Sequence, residues 1–129
     1  MAPVKTYSKS DLNNWSGVLS LKHGSKKFLL TGDAELQSEN DMMSKKLISK
    51  VDVLKVGHHG AKTSSSSKFL SIAKPTYSAI SVGKNSYGHP TSYTVKRLSA
   101  VKSKIYRTDK SGNIIFTSNG KTISVKTVK

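Results

Sequence analysis

Strand-like apolar segments alternate with helical segments through the middle of the chain, and each strand-like segment runs into a loop that contains glycine. β-Branched and aliphatic runs predict strands over residues 18–21, 28–30, 51–56 and 77–82. Helical spacing of apolar residues predicts helices over residues 34–49, around 69–72 and around 95–101. Alternation of this kind predicts an α/β fold with a mixed sheet and layered helices.

The first two helices have recognisable ends. The core-facing residues of the first would be Leu36, Met43 and Leu47. Lys45 and Lys46 would lie in its last turn, where cations favour the helix C-terminus. The serine run over residues 64–67 offers N-caps for the second helix.

The two ends of the chain differ from this alternating middle. Residues 1–13 are predicted to form an irregular lead-in, and residues 14–129 a single domain. Three short strands close the chain, over residues 104–108, 113–117 and 122–128, with turns at 110–112 and 118–120. The second turn contains an Asn-Gly pair, which is a strong hairpin signal.

The chain is strongly basic, with 22 Lys and Arg against 7 Asp and Glu and a formal net charge of +15. Such an excess favours polyanionic partners such as nucleic acid, although solubility alone would also explain it. All the basic residues except Arg97 and Arg107 are lysines. Because lysine is a point charge rather than a bidentate fork, this composition indicates contact with backbone phosphates rather than recognition of bases.

Two classes of structure are excluded by composition. The chain has no cysteine, so it has neither disulfides nor thiolate metal sites. Its apolar runs are only a few residues long, far short of the roughly 20 residues that a membrane-spanning helix requires.

Asp33 follows the second predicted strand directly, after Thr31 and Gly32. A carboxylate at the carboxyl end of a strand can reach into a crevice as a metal ligand or a base. Asp is also a favoured N-cap, so Asp33 could instead cap a helix that begins at Ala34.

Histidines follow the next two predicted strands. His58 and His59 lie between two glycines, where a loop backbone lets adjacent side chains converge, and His89 lies in a Gly/Pro loop. Imidazole is a common ligand for Zn²⁺ and similar metals. Sites in open α/β sheets form at the carboxyl ends of strands, so these histidines and Asp33 are predicted to meet. His23, in a turn between strands, is interpreted as a solvated residue.

Four runs in order, FLLTGDAE, VDVLKVGHHGAKTSSS, SAISVGKNSYGHP and IYRTDKSGNIIFTSNGK, resemble successive blocks of the ComEC-type branch of the metallo-β-lactamase superfamily. The resemblance covers roughly residues 12–126. It implies the C-terminal half of an αββα sandwich, with a mixed sheet and helices on one face. It also implies a hydrolytic site with two divalent metal ions, Zn²⁺ or Mn²⁺, in the longer protein.

The resemblance also implies roles for individual residues. Asp33 matches the carboxylate that bridges the two metals, and His59 matches a late histidine ligand, although the division of roles between His58 and His59 stays open. His58 and His89 match catalytic positions near the substrate. The side chains that would contact phosphate or nucleic acid are those of Lys62, Thr63, Ser64 and Lys84.

The sequence departs from the family pattern at three places. Ala61 stands where the family often has serine, which puts a phosphate contact by a first serine in doubt, and Thr91 stands where the histidine is often repeated. The His-x-His-x-Asp-His cluster of the N-terminal half does not occur here. A catalytic Zn²⁺ normally takes three protein ligands, so the isolated chain is expected to be inactive and whether it binds metal stays open.

The resemblance implies the C-terminal part of a metal-dependent phosphodiesterase or nuclease linked to DNA uptake, on the outer side of the cell. Two alternatives remain at this point: a basic DNA-binding module without catalysis, and a hydrolase of small phosphoesters. An unpartnered sheet face would need the N-terminal half of the domain or a second copy of the chain to cover it.

Overall fold

The computed structural model describes residues 1–129 and contains one five-stranded sheet. Its strands, in spatial order, are β1 (Leu19–His23), β2 (Lys26–Leu30), β3 (Val53–Lys55), β4 (Tyr77–Ile80) and β5 (Lys104–Arg107). β1 and β2 form an antiparallel hairpin, and β2 to β5 run parallel. The predicted α/β fold with a mixed sheet is therefore confirmed.

The helices are short, and two of them, α2 and α3, are capped by the side chain that precedes them. They are α1 (Leu36–Ser44), α2 (Ser67–Ala73), α3 (Ser92–Ala100) and α4 (Thr108–Ser111), with 3₁₀ turns at Leu12–Trp15 and Gly57–Gly60. Ser66 accepts a hydrogen bond from Phe69 N at the start of α2, as the serine run predicted. Thr91 accepts one from Thr94 N at the start of α3. Each cap satisfies one backbone N–H that the helix itself leaves free.

One face of the sheet is closed by these helices. Leu29, Leu54 and Ile80 point to this face because side chains alternate along a strand, and all three are buried. They pack in one cluster with residues of α1, α2 and α3, among them Phe69 and Leu98, which are fully buried.

The other face of the sheet is open over β1 and β2. Leu19, Leu21 and Leu30 point to it and are 62%, 56% and 40% exposed. A hairpin of β6 (Asn113–Ser118) and β7 (Ile123–Val128) covers its far side, where Phe116 packs 6.0 Å from the rings of Tyr77 and Tyr106. Helices on one face and an apolar second face are the layout expected of half an αββα sandwich.

Two predictions about local structure were wrong. α1 ends at Ser44, so Lys45 and Lys46 lie beyond its last turn, and Lys46 has a left-handed backbone with φ of 55°. Met42 rather than Met43 is buried, and Leu36 is half exposed, because the inner face of α1 also carries the buried polar residues Ser38 and Glu39. The predicted turn at 110–112 is preceded by the short helix α4.

The segment before β1 packs on the domain. Tyr7 is buried and donates a hydrogen bond to Asp41 Oδ2 at 2.9 Å, and Ala2 bridges to Val18. The domain boundary at residue 13 stays a prediction. None of the helices has the length and apolar character needed to traverse a lipid bilayer.

Candidate metal centre

Three loops meet at the carboxyl edge of the parallel strands. Asp33 follows β2, His58 and His59 follow β3, and His89 follows β4. The loops are tied to one another by backbone hydrogen bonds, from His58 N to Gly32 O and from Thr91 N to Gly60 O, each 3.0 Å. The sheet therefore brings together the four side chains that the sequence singled out.

Glycine at position 60 is required for this close approach. Gly60 has φ of +83°, and a Cβ there would lie 2.5 Å from Pro90 Cβ. A side chain would therefore push the His58–His59 loop and the His89 loop apart.

Asp33 and His59 face each other. His59 Nε2 lies 3.8 Å from Asp33 Oδ1. His59 Nδ1 lies 2.6 Å from Ser81 O, and because a carbonyl only accepts, Nδ1 carries the proton. When Nε2 is unprotonated, its lone pair faces the Asp33 carboxylate, which is the arrangement of a metal-ligating histidine held by an outer hydrogen bond.

The alternative role of Asp33 as a helix cap is excluded by the geometry. α1 begins at Leu36 with Glu35 in the cap position, and the N–H of Ser38 in its first turn donates to Asn14 Oδ1 at 3.0 Å, not to Asp33. The backbone N–H of Asp33 donates to Ser16 Oγ at 3.1 Å, and its carboxylate points toward His59.

The spacing of this pair suits a shared cation. Zn²⁺ lies about 2.0–2.2 Å from imidazole nitrogen and carboxylate oxygen, so two ligands of one ion lie up to about 4.2 Å apart. The 3.8 Å between Nε2 and Oδ1 falls within this limit and is too long for a hydrogen bond. However, no group of three or more His, Asp or Glu in the chain is arranged to hold a metal. The residues present fit two ligands of a site, not a complete one.

His58 points away from this pair. Its Nδ1 is buried, has no hydrogen-bond partner and lies 3.9 Å from Glu35 Oε2. Its ring packs edge-on against that of His89, with 5.6 Å between centroids. The two adjacent histidines thus diverge because both have left-handed backbones, with φ of 47° and 55°. His59 is the one placed to share an ion with Asp33, and His58 lies beside it with His89.

The environment of His89 favours its neutral form. Partial burial, followed by the nearby imidazoles of His58 and His59, lowers the pKa of His89 below its ordinary value of 6.5. At neutral pH His89 therefore carries one N–H donor and one lone pair.

Two residues that the sequence did not single out hold the loop after the histidines. Glu39, on α1, is buried and accepts hydrogen bonds from the backbone N–H groups of Ser65 and Ser66. Arg97, on α3, donates to Lys62 O at 3.2 Å and Ser64 O at 3.0 Å. Burial raises the pKa of Glu39, against the opposing effect of these N–H donors and of Arg97.

The predicted phosphate contacts divide into two groups. Ser64 is buried and its hydroxyl donates to Ala34 O at 2.7 Å, so it holds the loop and does not face a ligand. This corrects the prediction for Ser64. Lys62, Thr63 and Lys84 are exposed around the site, as a phosphate contact requires.

Lys84 belongs to a pocket that opens beside His59. The pocket measures about 180 Å³. Its lining residues are His59, Val82, Gly83, Lys84, Asn85, Tyr87 and His89. Tyr87, two residues before His89, is 81% exposed, and its ring centroid lies 5.9 Å from that of His89 with 30° between the ring planes.

Comparison with known proteins agrees with this fold. The family model described as the metallo-beta-lactamase superfamily matches residues 6–84. The chain belongs to the metallo-β-lactamase superfamily.

Three relatives indicate which branch of this superfamily the chain resembles. It is 40% identical over 103 residues to ComE operon protein 3 of Bacillus subtilis, an alignment that covers 79% of this chain and 13% of the relative. It is 36% identical over 115 residues to Recombination protein 2 of Haemophilus influenzae, which covers 88% of this chain and 14% of the relative. It is 41% identical over 110 residues to Competence protein ComA of Neisseria gonorrhoeae, an alignment that covers 82% of this chain and 16% of the relative. The resemblance to ComEC-type competence proteins is confirmed, and the chain spans less than a fifth of each of these relatives.

Proposed function

We propose that this chain is the C-terminal part of a metal-dependent phosphodiesterase, a nuclease that acts on DNA during its uptake. The observation that carries the proposal is the pairing of Asp33 with His59, whose Nε2 lone pair is directed at the carboxylate by the bond to Ser81 O. The name of one relative refers to competence, that of a second to recombination, and that of the third to an operon. A net charge of +15 suits a polyanionic substrate.

Each residue has a distinct part in this proposal. Asp33 and His59 would hold divalent metal, Zn²⁺ or Mn²⁺, which supplies Lewis acidity and activates water in hydrolases of this kind. His89, neutral and next to the pair, can donate a hydrogen bond to a phosphate oxygen or hold a proton at its ring nitrogen. His58 packs against it and fixes its position. Lys62 and Lys84 would attract the phosphate backbone.

The remaining ligands would come from the N-terminal half of the domain, docked on the open face beside Leu19, Leu21 and Leu30. A second copy of the chain on the same face is the alternative partner. By analogy with DNA-uptake proteins, we place the site on the outer side of the cell.

One observation favours a second candidate function. No set of three ligands exists in this chain, so by itself it would be a basic module that holds DNA without cleaving it. Binding that weakens steeply with salt and shows no turnover is the signature of such a module.

The test is metal-dependent cleavage by a protein that joins this chain to an N-terminal half bearing the His-x-His-x-Asp-His ligands. With Mn²⁺ or Zn²⁺ we expect cleavage of DNA, reduced at least about 100-fold by Asp33→Asn or His59→Gln, because each change removes a metal ligand. His23→Gln is the matched control, since His23 is exposed in β1 and remote from the pair. Absence of cleavage with either metal would contradict the nuclease, and cleavage of bis(4-nitrophenyl) phosphate but not of DNA would assign the site to small phosphoesters.

A further inference from the structure

We propose that the pocket between His59 and Tyr87 is a binding site for one unpaired nucleobase, with Tyr87 as its stacking platform. The inference rests on the proposed action on DNA and adds to it a preference for single strands. Four observations support it: the exposure of Tyr87, the stiffness of its loop, the charge at the rim, and the open space at Gly83.

Tyr87 is the most exposed large hydrophobic side chain of the protein. Its ring is tilted by only 30° from that of His89, and His89 in turn packs on His58. The tyrosine ring thus has the His89 ring beside it, while most of its own surface meets solvent. An exposed aromatic ring beside cationic groups is the usual platform for a base of single-stranded nucleic acid.

The loop that carries Tyr87 is closed by one side chain. Asn85 donates to Gly83 O at 2.9 Å and to His89 O at 2.8 Å, and its Oδ1 accepts from His89 N at 3.0 Å. The platform is therefore formed before any ligand arrives, so little entropy is lost when a base stacks on it. Both N–H groups of the Asn85 amide are used in the loop, which leaves stacking rather than base-edge reading as the main interaction.

The charge and the shape of the pocket suit a nucleotide. Lys84 lies at its rim, where it can meet a backbone phosphate while the base occupies the apolar part formed with Val82 and Tyr87. In a duplex both faces of each base are covered by neighbours, so only an unpaired base can lie on Tyr87. The site would thus hold a single strand next to His59.

Gly83 offers a way to close the pocket without disturbing the fold. A Cβ at Gly83 would meet nothing within 4 Å, and its φ is outside the left-handed region. Gly83→Val would therefore add a side chain to the lining of the pocket with little strain. Tyr87→Ala removes the platform, and Tyr87→Phe keeps the ring and removes only the hydroxyl.

The test is fluorescence anisotropy of the whole chain with two labelled 12-nucleotide strands, oligo-dT and an abasic strand of the same phosphate charge. We expect oligo-dT to bind about 5- to 100-fold more tightly, the range of one base stacked on an aromatic ring. Tyr87→Ala and Gly83→Val should each reduce this ratio to near one, and Tyr87→Phe should retain it.

The outcomes separate this inference from the proposed function. Equal binding of the two strands by the wild type, or an unchanged ratio in both Tyr87→Ala and Gly83→Val, would overturn the base site. If both strands still bound with strong salt dependence, the backbone contact that the nuclease requires would survive. Failure to bind either strand at low salt would contradict both the base site and the action on DNA.

Discussion

The two faces of the central sheet carry similar apolar residues but differ in how far these residues are buried. On the closed face, Leu29 and Leu54 are buried under three helices, whereas on the open face Leu19 and Leu21 remain more than half exposed. The chain therefore encloses one core of its own and presents a second apolar surface. The Asp33–His59 pair lies at the carboxyl edge of the same sheet and would give a metal ion only two ligands. In the proposed function, one complementary half would cover the open face and supply the remaining ligands.

Substitutions on the two faces should change the free energy of unfolding by very different amounts. Phe69→Ala on the closed side should destabilise the chain by about 3–5 kcal/mol, because a fully buried ring leaves a cavity. Leu21→Ala on the open side should change stability by less than about 0.5 kcal/mol. Urea unfolding followed by circular dichroism measures both, and equal losses would show that the open face is covered by the chain itself.

Breaking the hydrogen bonds between α1 and the loop after the histidines should cause an intermediate loss of stability. Glu39→Ala should destabilise by about 1–3 kcal/mol, since it leaves the N–H groups of Ser65 and Ser66 without acceptors in a buried place. The amide resonances of these two residues should shift in the same variant. If stability fell while those resonances did not move, the hydrogen bonds from the loop to Glu39 would be contradicted.

The pH dependence of stability has a defined sign at Glu39. Because burial raises its pKa above the ordinary 4.5, the folded state binds the proton more tightly than the unfolded state. Stabilisation by this proton is fully present below pH 4.5 and is lost as pH rises through the folded pKa. Compared with Glu39→Gln, which cannot titrate, the wild type should gain stability as pH falls through this window. If the wild type lost stability relative to Glu39→Gln as pH falls, a raised pKa of Glu39 would be contradicted.

The smallest expected effect is a shift in the titration of His89. Its pKa should lie below 6.5, and His58→Ala should restore only part of the shift because burial is the first cause and the neighbouring imidazoles come after it. Histidine ring resonances followed by NMR across pH 5–8 would measure this. If His58→Ala restored the pKa of His89 completely, the charge of the neighbouring imidazole rather than burial would be the main cause of the shift.

The parts of the fold set by local periodicity could be predicted from the sequence. Apolar runs indicated the strands, and the carboxyl-end rule brought Asp33, His59 and His89 to one edge. The separate tasks of His58 and His59 could not be predicted, because they depend on two left-handed residues whose conformation no local signal shows.

Residues that act across the fold were also missed. Glu39 reads as part of a polar helix surface, yet the packing of α1 on the serine loop buries it. Arg97 carried one signal, as one of two arginines in a lysine-rich chain, and its Nη2 donates to two carbonyls of the loop. Leu36 failed as a core residue because α1 turns Ser38 and Met42 inward instead.

A Zn²⁺ titration of the chain, observed at the histidine ring nitrogens by NMR, tests whether Asp33 and His59 share one cation as proposed. We expect the Nε2 resonance of His59 to shift first, His23 not to respond at the same concentrations, and Asp33→Asn to remove the response. If the His59 resonance stayed in place while metal bound elsewhere, or shifted equally in Asp33→Asn, the two residues would not share a cation.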